Sequence, residues 1–313
     1  MNNKAKSITI LAVLLLIFLL FIRYIYIHVD EFAKLKLVNP IYLLFLIILT
    51  IFFSLTYGLV IKYLVEPFKI KLKFNAWFGL SVITSFYNII APATGGLVPR
   101  ALYLKKKHNF HYSSFISSLS GIYITHFLVG STLGLLSILF LYVKYKAFNL
   151  PIFLAFLIIF FVSLTITLFS PKLKKSNHRW FSKIVKVVNG WHKIRKNHKV
   201  FFIVCIITIV QTLLNMVGIA LAFEIFNIKI SLTIAFFLAC TGFLGGFISV
   251  SPGILGISEA IAVFSSLVIG ITVPQALAAA LISRIASTAT ILILGPVYSW
   301  ILFNHVKRQK IHK

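Results

Sequence analysis

The amino-acid sequence predicts an all-α protein, a polytopic bundle of transmembrane helices. Hydrophobic residues make up 60% of its 313 residues, and its mean hydropathy is +1.01. Apolar stretches of about 20 residues recur along the chain, and this is the length that an α-helix needs to cross a bilayer. No polar stretch is long enough for a soluble domain, so we expect one integral membrane domain over residues 1–313.

The first apolar stretch could be a signal peptide or a first membrane helix. Residues 1–27 are too long for the hydrophobic region of a signal peptide and have no small-residue cleavage site after them, so we expect an uncleaved anchor helix. Basic loops separate the later stretches. The further spans that we predict are 41–65, 113–143, 150–169, 200–226 and 274–303.

The stretch that starts at Phe74 is too short to cross. About 16 residues after its start come a proline, paired glycines and an arginine. Pro and Gly leave backbone groups unpaired, which at membrane depth requires protein or water around them. We therefore predict a broken, re-entrant helix here. Its marker residues are Asn88, Pro92, Gly95, Gly96 and Arg100.

A second interruption lies within the apolar stretch 230–273. The segment SPGILGISEA holds Ser251, Pro252, Gly253, Gly256 and Glu259. An intramembrane carboxylate beside broken backbone is costly in hydrocarbon and should face protein or a water-filled cavity, so it is a candidate functional site. The alternative is a kinked helix whose carboxylate only neutralises a structural arginine.

The basic loops also predict a topology. Suppose that both termini and the basic segments are cytoplasmic. The number of membrane crossings between them is then consistent only if the first broken segment enters from the cytoplasm and returns to it, and the second enters from outside and returns there. The sequence thus predicts two oppositely oriented re-entrant hairpins. Inverted repeats produce this arrangement, with broken helices meeting near the midplane of the membrane.

Charge is concentrated outside the apolar stretches. The chain has 31 Lys and Arg against 5 acidic residues, a formal net charge of +26. Because these cations flank helices, where they orient spans and meet anionic headgroups, we expect no nucleic-acid partner. The segment 171–199 alone carries ten Lys or Arg and no acid. It is either an amphipathic connector on anionic lipid or a plain positive-inside loop, and the two are compatible.

The sequence gives little support for catalysis or for metal binding. Cys205 and Cys240 lie in apolar stretches, which disfavours a disulfide or a thiolate metal site. The sequence has no HExxH, P-loop, GxGxxG or GxSxG motif. We expect no metal, no cofactor and no catalytic residue. The carboxylates are Asp30, Glu31, Glu66, Glu224 and Glu259.

The remaining chemistry is charge recognition. Arg100, Glu259 and Arg284 could face one another, and an arginine binds phosphate through a bidentate fork. A phospholipid headgroup or a polyprenyl phosphate would suit such a site, to which we also assign Asn88. Two structural alternatives remain open: an Arg284–Glu259 ion pair that only locks two helices, and an Arg100 that snorkels to the interface.

These residues carry a family resemblance. The chain is similar to the membrane region of lysylphosphatidylglycerol synthases, a domain that also occurs alone in flippase-like membrane proteins. The family's second motif usually reads SPGG-x-G-x-x-E, and Ile254 replaces its second glycine here. The matching positions are Asn88, Pro92, Gly95, Gly96, Arg100, Leu104, the segment SPGILGISEA, Gly270 and Arg284.

The resemblance implies lipid translocation in the plasma membrane. We expect a flippase for a charged (amino)phospholipid or a polyprenyl-phosphate-linked lipid, with no lysyl transfer, because no segment here matches the soluble aminoacyl-transferase domain. The competing hypothesis is a non-transporting subunit of a lipid- or glycan-modifying enzyme. In that case the segment 171–199 would dock the partner enzyme.

Overall fold

The computed structural model describes residues 35–91, 95–170, 172–173, 179–247 and 256–311, with side chains except at 179–183, 246–247 and 305–311. Within these ranges every regular element is a helix, which confirms the all-α class. Two short 3-10 helices cover Glu66–Phe68 and Phe243–Phe247. The α-helices are α1 (Ile41–Val65), α2 (Phe74–Ile90), α3 (Leu97–His108), α4 (Tyr112–Tyr145), α5 (Leu150–Leu168), α6 (Arg179–Lys196), α7 (His198–Glu224), α8 (Leu232–Gly242), α9 (Ile257–Leu267) and α10 (Val273–Ile311).

Five of these helices are long and apolar enough to cross a membrane, and they make the chain a multi-pass integral membrane protein. They correspond to α1, α4, α5, α7 and α10, and the shortest of them has 19 residues. At a rise of 1.5 Å per residue that helix is ~28 Å long, close to the ~30 Å hydrocarbon core. All five match spans predicted from hydropathy. The predicted anchor helix 1–27 lies outside the described residues.

Polar caps mark where several helices begin. Asn149 accepts a hydrogen bond from the amide of Ile152 at 3.1 Å and starts α5. Asn197 caps α7 in the same way at 3.2 Å, and Ser231 caps α8 at 3.3 Å. A side chain that satisfies an otherwise unpaired N–H stabilises a helix start by about 1 kcal/mol. Such polar caps separate successive apolar stretches, here at the ends of the bundle.

The bundle has two ends, which we name by α1. At the first end, where α1 begins, the Val38 amide donates to the Ile225 carbonyl at 2.9 Å, just after α7. At the second end, where α1 finishes, the rings of Phe68 and Phe110 lie 5.5 Å apart. Helix α1 lies between these ends against α2, α4, α7 and α10, and is therefore the central helix.

The short helices form two pairs, α2–α3 and α8–α9. Helix α2 starts at the second end, and Phe110, just after α3, contacts Phe68 at that same end. Helix α8 starts at the first end, where Ser231 accepts a hydrogen bond from Tyr145 at 2.6 Å. Ile271, which follows α9, belongs to the same buried cluster as Ile225 at the first end. Helix α2 thus begins, and α3 finishes, near the second end, whereas α8 begins near the first end.

Candidate functional site: two arginines and a helix break

The start of α9 holds the Glu259 carboxylate. Gly256 precedes the helix with φ of +82°, a conformation that residues with a Cβ rarely adopt. Its amide donates to Glu259 Oε2 at 2.8 Å. This interaction satisfies one N–H at the helix start and places a negative charge at the positive end of the helix dipole. The glycine and the glutamate of the motif therefore work together to begin α9.

Glu259 forms an ion pair with Arg284. Arg284 Nε lies 2.5 Å from Glu259 Oε1, and the two side chains are 23% and 10% exposed. Ser258 joins the pair: its hydroxyl donates to Glu259 Oε2 at 3.1 Å and accepts from Arg284 Nη2. Two helices, α9 and α10, are thereby tied by a charge-assisted network.

The pair sits deep in the bundle. Arg284 is 11 residues into α10, ~17 Å from its start at the first end. This distance is about half of the ~30 Å hydrocarbon core. Because the opposite charges compensate each other, the pair is close to neutral as a unit.

Arg100 lies in α3 and is one of the most buried side chains, at 1% exposure. Its Nη1 donates to the Tyr57 hydroxyl at 3.2 Å, and its guanidinium carbon lies 5.2 Å from the centre of the Phe115 ring. The buried Nε has no hydrogen-bond partner among the residues that the structure describes. Across the described part of the chain, no carboxylate lies within 4.0 Å of this cation. Arg100 is thus buried among aromatic residues instead of snorkelling.

Asn88 and Gly96 shape the α2–α3 pair. The amide of Gly96 donates to Asn88 Oδ1 at 2.8 Å. A Cβ at Gly96 would overlap the carbonyl oxygen of Thr84, so only glycine allows α3 to start this close to α2. The described contact of Asn88 is therefore within the hairpin, where it satisfies backbone that the helix break leaves unpaired.

The predicted site residues do not all contact one another. Glu259 and Arg284 are paired, whereas no hydrogen bond or ion pair between described residues joins either of them to Arg100. Pro92 and 251–253 (Ser251, Pro252 and Gly253 of the motif) lie outside the described residues. Among the residues that the structure describes, no group of three His, Cys, Asp or Glu could hold a metal ion.

Tyr57 and Phe115 are site residues that the sequence did not single out. They are two of 12 Tyr and 31 Phe residues, and neither lies in a recognisable motif. Tyr57 is on α1 and Phe115 on α4, so only the packing of three helices brings them to Arg100. No signal in a single sequence would have found them.

Helix α6 lies at the second end and packs against α4 and α7. Asn189 forms two hydrogen bonds with the backbone of Leu173, at 2.8 and 2.9 Å. Trp191 is buried, while Lys186 and Lys193 remain exposed. The helix therefore has an apolar side against the bundle and a basic side away from it. Ile184 is an exception among the apolar residues of this helix, since it is 54% exposed.

This architecture defines a class: a polytopic helical membrane protein with five long apolar helices, shorter apolar helices between them and an ion pair at a helix start. The comparison with protein families identifies the family. The model of the lysylphosphatidylglycerol synthase TM region matches residues 7–295, and the chain belongs to that family. Neither the curated proteins nor the solved structures contain a significant match.

Proposed function

We propose that this protein is a lipid translocator, which moves a charged (amino)phospholipid or a polyprenyl-phosphate-linked lipid between leaflets. The headgroup would cross through the interior of the bundle while the acyl chains remain in lipid. The family membership supports a role in lipid handling. The chemistry proposed is transport and not catalysis.

In this proposal the pairs α2–α3 and α8–α9 are re-entrant hairpins of opposite orientation, related as an inverted repeat. Their starts at opposite ends of the bundle support this arrangement. Their lengths of 17, 12, 11 and 11 residues also support it, since even the longest spans only ~26 Å. Two such hairpins bring helix breaks to the middle of the membrane from both sides.

One observation carries the proposal: the partly buried Glu259–Arg284 pair at the start of α9. Ionisable groups at membrane depth are costly, and those that occur commonly line substrate pathways. A headgroup ammonium would compete for Glu259, and a headgroup phosphate would compete for Arg284. The pair thus offers a charged headgroup a temporary partner of each sign at mid-depth.

The basic loops orient the protein. Lys69, Lys71 and Lys73 precede α2 at the second end, and Lys105–Lys107 close α3 there. The positive-inside rule supports a cytoplasmic second end, and in this proposal the end of α10 is cytoplasmic too. We propose the plasma membrane as the location, with both termini cytoplasmic and the basic side of α6 on anionic inner-leaflet lipid.

The test is transbilayer movement of fluorescent phospholipids in proteoliposomes that contain the full chain. Anionic, zwitterionic and lysyl-bearing headgroups are compared. We expect headgroup-dependent movement, lost in Glu259→Gln and retained in Glu66→Gln, which removes an exposed carboxylate of equal charge at the end of α1. Equal movement in the native protein, both variants and empty liposomes would reject the proposal.

A second candidate function is a membrane subunit that anchors a lipid- or glycan-modifying enzyme. The observation that favours it is the packing of α6 on the bundle with a basic side chain exposed: Ser117 of α4 donates to the Val187 carbonyl at 3.2 Å, and Lys186 is exposed. Neutralising Lys172, Lys174 and Lys175 should then weaken capture of the partner enzyme. Glu259→Gln should leave that capture unchanged.

A further inference from the structure

We propose that Arg100 is an anion receptor separate from the Glu259–Arg284 pair, and that its ligand is the phosphate of an anionic phospholipid. The inference rests on the proposed function, because it names the chemical group that this protein would bind. It separates the two intramembrane arginines, which the sequence placed in one site. Their surroundings in the structure differ in charge.

The first step is charge balance. Arg284 is compensated by Glu259 at 2.5 Å, whereas the partners of Arg100 among the described residues are the Tyr57 hydroxyl and the face of the Phe115 ring. A buried cation without a paired anion is strongly unfavourable, even when a cation–π contact offsets part of the desolvation. Of the two, Arg100 is therefore the arginine that gains most from an added anion.

The second step is the nature of the free donors. Arg100 Nη1 is used by Tyr57, and Nε is buried without a partner in the described part of the chain. Between described residues no hydrogen bond reaches Nη2 either, so one whole edge of the guanidinium lacks an acceptor. That edge, Nε with Nη2, fits two oxygens of a phosphate side by side. The Tyr57 hydroxyl accepts from Arg100, and its own proton is left to donate to a third oxygen.

The third step is the helix on which Arg100 lies. Helix α3 has 12 residues and begins at Leu97, so Arg100 is in its first turn. The partial positive charge of a helix N-terminus adds to the charge of the guanidinium. Gly96, just before this end, is buried, and a Cβ there would overlap the Thr84 carbonyl of α2. Donors without acceptors, a full charge and a helix dipole all favour an oxyanion at the same place.

The choice between lipid phosphate and free phosphate follows from position. Arg100 is eight residues before the end of α3, ~12 Å from the second end. The surrounding side chains are aromatic and apolar, as in the buried cluster that contains Tyr103 and Phe115. A headgroup attached to acyl chains keeps those chains in lipid while its phosphate reaches this depth. A free phosphate ion would lose its hydration at this depth and has no acyl chains whose contact with lipid would offset that cost.

The experiment measures binding of phosphatidylglycerol to the purified full-length protein by native mass spectrometry in detergent. We expect Arg100→Gln to weaken binding by about tenfold or more, the usual scale for losing a charge-assisted bidentate contact. Arg100→Lys, which keeps the charge without the fork, should lie between. Lys229→Gln removes an exposed charge at the first end and serves as the matched control, with binding unchanged.

Thermal unfolding gives an independent measurement on the same variants. Without lipid, Arg100→Gln should melt at or above the native temperature, because it removes an unpaired buried charge. Added phosphatidylglycerol should raise the melting temperature of the native protein and not of the variant. A variant that binds and is stabilised like the native protein would overturn the proposal.

Two further arms separate the sources and the functions. Equal affinity for glycerol 3-phosphate would overturn the assignment to a lipid, although Arg100 would remain an anion site. Arg100-dependent lipid binding in a protein that moves no lipid would support this site and reject the translocator proposal. The two proposals can therefore fail separately.

Discussion

Breaking the Glu259–Arg284 pair offers a quantitative test of how the mid-depth charges are held. Glu259→Gln keeps an oxygen that can accept from the Gly256 amide, so the helix start should survive. The variant loses the negative charge that compensates Arg284. Removing one partner of a fully buried pair costs about 3–5 kcal/mol. Because Arg284 is 23% exposed, we expect about 2–3 kcal/mol here.

The same reasoning predicts strong coupling between the two residues. Arg284→Gln alone should cost a similar amount, since it strands Glu259. The double variant has no stranded charge and should be no less stable than either single variant. The coupling free energy in a double-mutant cycle should be about 2 kcal/mol.

The assay is thermal or denaturant unfolding of the purified protein, followed by fluorescence of its 4 tryptophans. A loss of 2–3 kcal/mol should lower the melting temperature by roughly 5 °C. Glu66→Gln, at an exposed carboxylate, should change stability by less than about 0.5 kcal/mol. Additive losses in the double variant would refute the reasoning, because additivity means that the two charges do not stabilise each other.

Three other substitutions test the hairpin, the second end and the connector. Gly96→Ala should lower the free energy of unfolding by about 3 kcal/mol, because the added Cβ would overlap α2. Gly242→Ala is the control: its Cβ would meet nothing within 4 Å, so the change should be neutral or stabilising. Burial and the neighbouring Lys107 lower the pKa of His108. The folded state therefore binds a proton at His108 less well than the unfolded state does. The free energy of unfolding should fall as the pH drops through about 6.5. His108→Gln should remove that part of the pH dependence, and the exposed His111→Gln should not. Asn189→Asp keeps the shape of the side chain but cannot donate, so limited proteolysis should cut before α6 faster than in the native protein.

Each of these outcomes can be contradicted. A Gly96→Ala protein as stable as native would mean that α3 moves away from α2 at little cost. A pH profile that is unchanged in His108→Gln would assign the acid sensitivity to another group. Proteolysis of Asn189→Asp at the native rate would show that the hydrogen bonds between Asn189 and Leu173 are not needed to hold α6 in place.

Hydropathy was sufficient for most of the architecture. The five described spans were predicted because a run of about 20 apolar residues has few alternatives to a membrane helix. The two interruptions were also visible in the sequence, since Pro and Gly are conspicuous in apolar stretches. Contacts between helices were not visible. Tyr57 meets Arg100 from 43 residues away, and Ser117 meets the backbone of α6 from about 70 residues away.

The sequence by itself thus determined the class of protein, the positions of the spans, and the two places where charged side chains and broken helices occur together. Only the tertiary structure decided which charges meet: Glu259 compensates Arg284, and Arg100 is left with aromatic neighbours. The physical reason is that a helix apolar on all sides has no polar face to indicate its rotation. The partners of a buried arginine therefore depend on how several such helices pack together, which the order of residues along one helix does not reveal.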